Sequence, residues 1–188
     1  MYHSLLINPS FHALFVVIDD ELAEQVQKGG CSCGGPLHQA NYPRSSLGLP
    51  IDCREHYEQR RSFCCGFCRK RVTTQSVRFF GRYRFPASTI VLFSFLKRKI
   101  TVRTLAQVRR YFGVNVSKRT WKRWCLWWRE CFIATTFWKQ AKGLVPSSCL
   151  NGDYPRPLLM AYQGAFSDQW VAVLRFLAPL TAGVYRAV

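Results

Sequence analysis

Ser62-Phe63-Cys64-Cys65-Gly66-Phe67-Cys68-Arg69-Lys70-Arg71 joins a close cysteine pair to the start of a basic run. Cys65 and Cys68 stand two residues apart, a spacing that returns both sulfurs to one side of a tight turn. Upstream, Cys31-Ser32-Cys33-Gly34-Gly35 offers a second close pair, with 31 residues between Cys33 and Cys65. A tetrahedral zinc ion takes four thiolate or imidazole ligands, and a zinc ribbon draws two from each of two such turns. Gly34 and Gly35 suit the first turn, because small residues let backbone N–H groups approach the sulfurs. The expected ligands are therefore Cys31, Cys33, Cys65 and Cys68. Cys-x-Cys is tighter than the usual spacing, and Cys64, His38, Cys53 and His56 stand as alternative ligands. No His-Glu pairing of deaminase or protease type accompanies the cysteines, which argues against a catalytic metal. Cys125, Cys131 and Cys149 read as packing residues.

The basic run after Cys68 continues a long way. Of 27 Lys and Arg residues, 21 lie between Arg60 and Lys142, and Glu130 is the one acid there. That segment carries +20, against −3 for the rest of the chain, which has six basic and nine acidic residues. Charge confined to one segment is a binding surface for a polyanion, and nucleic acid is the first candidate. With 48% apolar and 15% aromatic residues, the 188-residue chain can bury a core and is not globally disordered. It has no run of about 18 uncharged apolar residues that would span a membrane. Phe11 to Ile18 lacks the flanks of a signal peptide, and an odd count of nine cysteines fits a disulfide framework poorly. A reducing cytoplasm is the expected location, with no membrane partner.

Four regions follow from composition. Residues 1–30 are apolar, then acidic, with a short helix expected over Asp19 to Lys28, acids in its first turn, ending at Gly29-Gly30. Residues 31–85 form the ribbon. Within them Ser76 to Phe85 alternates, which predicts a half-exposed strand with Arg78, Phe80, Arg82 and Arg84 outward. Residues 86–142 turn helical. Pro86 opens one segment that ends in Lys97-Arg98-Lys99, and a second runs from Val102 to Phe112 with Val102, Leu105, Val108 and Phe112 on one stripe. After Gly113 to Val116, Ser117 can cap a third segment reaching Phe132. There Trp121, Trp124, Cys125, Trp128 and Phe132 make an inward stripe, leaving Trp127 as the exposed aromatic. The arrangement reads as a helix-turn-helix with Lys118, Arg119, Lys122 and Arg123 facing a groove of double-stranded DNA. Arg69, Lys70, Arg71, Arg78, Arg82 and Arg84 would meet the backbone. Residues 143–188 read as a Pro/Ser/Gly-rich linker, then an apolar helical tail. Trp170, Leu174 and Leu177 in that tail serve either a partner surface or the core. The predicted class is α+β: a small zinc ribbon of short antiparallel strands, a helix-turn-helix domain and the tail.

Cys33-Gly-Gly-x-Leu37-His38, Tyr42-Pro43-Arg44, the Ser62 to Thr73 stretch and Ser76-Val-Arg78-Phe-Phe-Gly81 together resemble a family of small bacterial proteins found with mobile elements. More loosely, a zinc ribbon followed by a helix-turn-helix is similar to the DNA-binding portions of insertion-sequence transposases. The resemblance implies a DNA-targeting or regulatory subunit that works beside a transposase, a nuclease or another mobile-element protein. It departs from full transposases in one respect. After the third helical segment begins, Glu130, Asp153 and Asp168 are the acids left, in loop and apolar helix, too little to house a strand-transfer domain. The chain is thus expected not to be an enzyme. A thiol oxidoreductase using Cys65 and Cys68 lacks the strand–helix context. The competing partner is structured RNA, which ribbons and basic strands bind by shape.

Overall fold

The structure is a computed structural model and describes residues 6–96, 100–150 and 152–182. Lys97, Arg98 and Lys99, the basic end expected for the first helical segment, lie outside the described residues, as do 183–188 of the tail. The fold is α+β, mostly helical, with short antiparallel strands and a four-cysteine cluster.

Helix α1 spans Pro9–Gly29. Asn8 caps it, its side chain accepting from the Ser10 N–H at 3.0 Å, and Pro9 occupies the first turn, where its missing N–H costs nothing. Gly30, at φ 69°, ends it. The helix therefore starts ten residues earlier than the acids suggest. Asp19 is not a first-turn acid but sits mid-helix and buried, on the same side as Phe11, Phe15 and Ile18.

Three strands, β1 (Leu37–Gln39), β4 (Ser62–Cys65) and β5 (Arg71–Thr73), pair antiparallel in the order β1-β4-β5. Leu37 faces Cys65, and Phe63 faces Val72. A second pair, β2 (Tyr42–Pro43) with β3 (Gln59–Arg60), lies beside them. Ala23 on the last turns of α1 covers Cys31, Leu37, Phe63 and Cys65, a cluster of five buried residues.

Ser76 to Phe85 is not a strand. Ser76, Val77, Arg78, Phe79 and Phe80 are all buried, and one isolated bridge, Phe79 with Pro86, is all the pairing present. Side chains replace the ladder. Asp19 takes the Val77 N–H at 2.7 Å, and the Ser76 hydroxyl takes the N–H groups of Arg78 and Phe79 at 3.1 Å each. Backbone donors satisfied this way have no need of a neighbouring strand.

Helix α2 (Ala87–Phe95) is buried over its whole length. Helix α3 (Val102–Phe112) opens on a reciprocal Thr101–Thr104 capping box and closes on left-handed Gly113. Of its expected stripe, Val108 is buried, Leu105 and Phe112 are half-buried, and Val102 is 83% exposed. Helix α4 (Lys118–Leu126) is capped by Ser117, whose hydroxyl accepts from the Thr120 N–H at 3.0 Å. It runs into a π turn, Trp127–Phe132, then α5 (Thr136–Ala141), α6 (Arg156–Met160) and α7 (Phe166–Leu177).

One apolar cluster runs from Leu6 to Ala178. It includes Val145, Cys149 and Tyr154, so the expected linker is packed structure. The Tyr154 hydroxyl anchors it on the carbonyls of Cys149 (2.8 Å) and Leu150 (3.0 Å). Trp170, Val173, Leu174 and Leu177 are likewise interior, and the tail completes the core instead of offering those residues to a partner. No helix among the described residues is long and apolar enough to cross a membrane.

Candidate metal centre and basic surfaces

The structure brings Cys31, Cys33, Cys65 and Cys68 together, with all four sulfurs within 4.8 Å of one another. Two turns present them. In the first, the Gly34 N–H donates to the Cys31 carbonyl at 2.8 Å and the Cys31 N–H to that of Gly35 at 3.3 Å. A Cβ on Gly35 would stand 2.7 Å from the Cys65 sulfur, so only glycine lets the turns approach this closely. In the second, the Arg69 N–H donates to the Cys65 carbonyl at 3.1 Å and the Cys65 N–H to that of Lys70 at 3.0 Å. Arg69 takes the left-handed φ of 58° that this closure needs.

Cys33 and Cys65 sulfurs lie 3.4 Å apart, and those of Cys31 and Cys68 lie 3.6 Å apart. A disulfide would require about 2.05 Å. A tetrahedron with metal–sulfur bonds of about 2.3 Å spaces its sulfurs about 3.8 Å apart, so the donor set fits a four-coordinate ion. The electrostatics agree. The Cys68 N–H, supported by that of Phe67, outweighs burial and brings Cys65 down to about 6. The Cys33 N–H draws Cys31 down as well. Cys68 receives the Lys70 N–H, yet the neighbouring sulfurs push it up to about 12. Four thiols this close cannot all ionise without a cation between them.

The other cysteines and histidines stay outside the group. Cys64 directs its thiol at the Arg69 carbonyl, 3.5 Å away. Cys53 is buried apart, and burial raises its pKa. His56 faces Glu55 at 3.9 Å, and His38 lies against Gly66.

The basic residues divide by burial. Arg69, Lys70 and Arg71 are exposed on the β4–β5 turn, and Arg71 donates to the Ala40 carbonyl at 2.8 Å and the Ser62 hydroxyl at 3.1 Å. Arg82 and Arg84 are exposed, with Arg84 bonded to Ser45. Arg78 does not belong with them. It is 4% exposed and ion-paired with buried Asp19 at 2.7 Å, and it also donates to the His56 carbonyl. Its charge is already paired inside the fold.

Arg60, which opens the basic segment, is also interior. It donates to the carbonyls of Thr74 (2.8 Å) and Thr181 (3.1 Å), and burial lowers its pKa to about 10. Beside this network His12 bridges the Leu6 carbonyl and the Tyr57 hydroxyl at 2.8 Å each. Burial lowers the His12 pKa, which keeps the ring neutral. Nothing in the sequence pattern flags these buried polar groups, because each is paired with a residue distant in the chain.

Lys118, Arg119, Lys122 and Arg123 are all exposed on α4. Trp121, Trp124 and Trp128 are buried behind them, and the Trp121 indole N–H donates to the Phe93 carbonyl at 2.8 Å, fixing the roll of the helix on α2. Trp127 is not the exposed aromatic. It is half-buried, edge-on to Phe80 at 4.9 Å, because the wider π turn lets neighbouring Trp127 and Trp128 both pack inward.

No family model matches the chain, and neither a curated protein nor a solved structure does.

Proposed function

We propose that the protein is a non-enzymatic, zinc-containing nucleic-acid-binding module whose partner is duplex DNA. In this reading residues 31–85 hold a zinc ribbon. Helices α3 and α4 form a helix-turn-helix with α2 as the supporting helix. The observation that carries it is the division of α4: four cations project to solvent from a helix fixed on the core by buried Trp121 and Trp124, with Trp128 buried in the π turn that follows. A rigid basic helix lets phosphate and base-edge contacts form without ordering the element at the moment of binding. Arg69, Lys70, Arg71, Arg82 and Arg84, from the earlier part of the basic segment, supply backbone contacts. A closed set of four thiolates favours zinc over harder ions, and the metal's contribution is to fold the ribbon. The resemblance of the cysteine motifs to mobile-element proteins adds a cellular setting: a targeting subunit in the cytoplasm, beside a transposase or nuclease.

Combining Lys118→Gln, Arg119→Gln, Lys122→Gln and Arg123→Gln tests the interface without touching the core. Each phosphate that is no longer neutralised takes about 0.9 off the slope of log affinity against log salt. The combined variant is expected to show a slope shallower by roughly two to four and a duplex affinity lower by at least about a hundredfold near physiological salt. Fluorescence anisotropy across a salt series reads both. An unchanged slope in a variant with normal melting would remove α4 from the interface.

A further inference from the structure

Phe67 stands 72% exposed between two of the four clustered cysteines, at the tip of the β4–β5 turn. The turn does not require a large apolar residue there. What supports the Cys65 thiolate is the backbone N–H of Phe67 and of Cys68, which a small polar residue would supply equally. The side chain is nonetheless held. A Cβ on Gly35 would lie 2.9 Å from both Cβ and Cγ of Phe67, so the base of the ring packs on the first cysteine turn while most of the side chain meets solvent. Cations follow it in the chain: Arg69 and Lys70 are exposed on the same turn, and Arg71 lies over the Tyr42 ring at 5.8 Å.

An exposed ring on a rigid, basic turn suits one kind of ligand face, a flat π system carried on a polyanion. One ring buries too little apolar surface to hold a bilayer interface, for which a whole apolar helix face is the usual requirement. We propose that the β4–β5 tip engages an unpaired nucleobase at a duplex end or junction. Phe67 is the stacking residue, and Arg69 and Lys70 hold the flanking phosphates. The inference rests on the nucleic-acid reading above and adds a substrate class to it: duplex DNA with a single-stranded overhang, which α4 alone would not distinguish from blunt duplex.

The test uses the full-length metal-loaded protein and two DNA probes of one sequence, a blunt duplex and the same duplex with a short overhang carrying 2-aminopurine. The protein is expected to favour the overhang by about tenfold, in the range of a single base–aromatic stack, and to quench the 2-aminopurine. Phe67→Ala is expected to lower overhang affinity to the blunt level and abolish the quenching, with metal content and blunt-duplex affinity unchanged. Phe67→Trp is expected to restore both. Equal binding of the two probes by the wild type and Phe67→Ala overturns the inference while leaving duplex binding intact. Ring-dependent binding to anionic phospholipid vesicles in place of the overhang also overturns it. Failure to bind either probe overturns this inference and the underlying reading together.

Discussion

Replacing Cys65 with serine is expected to abolish stoichiometric metal and to unfold the two cysteine turns and the β1-β4-β5 sheet, residues 31–39 and 62–73, while the helical core and the Tyr57 and Arg60 packed on it persist. The sheet cannot stand on its own packing. Its buried cluster is five residues, Ala23, Cys31, Leu37, Phe63 and Cys65. Burial of a large apolar side chain contributes about 1.5–3 kcal/mol. Ordering backbone costs about 1–2 kcal/mol per residue, and roughly twenty residues lie in these turns and strands. Strand hydrogen bonds offset part of that cost, but a structural tetrathiolate zinc supplies about 10–16 kcal/mol. Hydrogen exchange should therefore show protection lost over Leu37–Gln39, Ser62–Cys65 and Arg71–Thr73 in Cys65→Ser, and equally on chelation. Protection over Ala87–Phe95 and Phe166–Leu177 should remain. Full protection of the strands after the metal is removed would mean that packing alone holds the sheet.

Asp19→Ala is expected to cost about 3–5 kcal/mol, the usual loss when one partner of a buried ion pair is removed. Asp19 is 1% exposed and accepts from three groups: Ser76 Oγ at 2.6 Å, the Val77 N–H at 2.7 Å and Arg78 Nε at 2.7 Å. Truncation strands a buried guanidinium and two further donors. Combining Asp19→Ala with Arg78→Met removes the orphaned charge and should recover part of the loss, leaving the Ser76 and Val77 donors unpaired. Urea unfolding measures both variants through the shift in midpoint at constant m. A loss below about 1 kcal/mol for Asp19→Ala would mean that Arg78 finds solvent, and with it a route to phosphate.

The parts legible in the sequence are those fixed by local chemistry. Cysteine spacing and Gly34-Gly35 point to the four clustered sulfurs, since a tight turn determines where its sulfurs lie. Ser117, Gly113 and the tryptophan spacing mark α3 and α4, because caps and helical periodicity are written within a few residues. What escapes a local reading is decided across the chain. Ser76 to Phe85 alternates like a strand, yet Asp19, 57 residues before Ser76, captures donors of Ser76, Val77 and Arg78, and Ser76 to Phe80 is a buried loop. The same pairing withdraws Arg78 from the surface. The acids of α1 mislead about where it begins, because Asn8-Pro9 carries the true start signal. The Pro/Ser/Gly content of 143–157 suggests a linker, but three well-spaced apolar residues, Val145, Cys149 and Tyr154, suffice to pack it. Adjacent Trp127 and Trp128 both turn inward because a π turn changes the helical period there, which a fixed 3.6-residue repeat does not anticipate.

The most direct test of the central proposal is a competition titration of the metal-loaded protein on labelled duplex DNA, with unlabelled structured RNA and unlabelled duplex as competitors at one salt concentration. Duplex is expected to compete at least about tenfold better than RNA, and affinity to fall steeply as salt rises. RNA competing as well as duplex or better, or duplex affinity independent of salt, would contradict it.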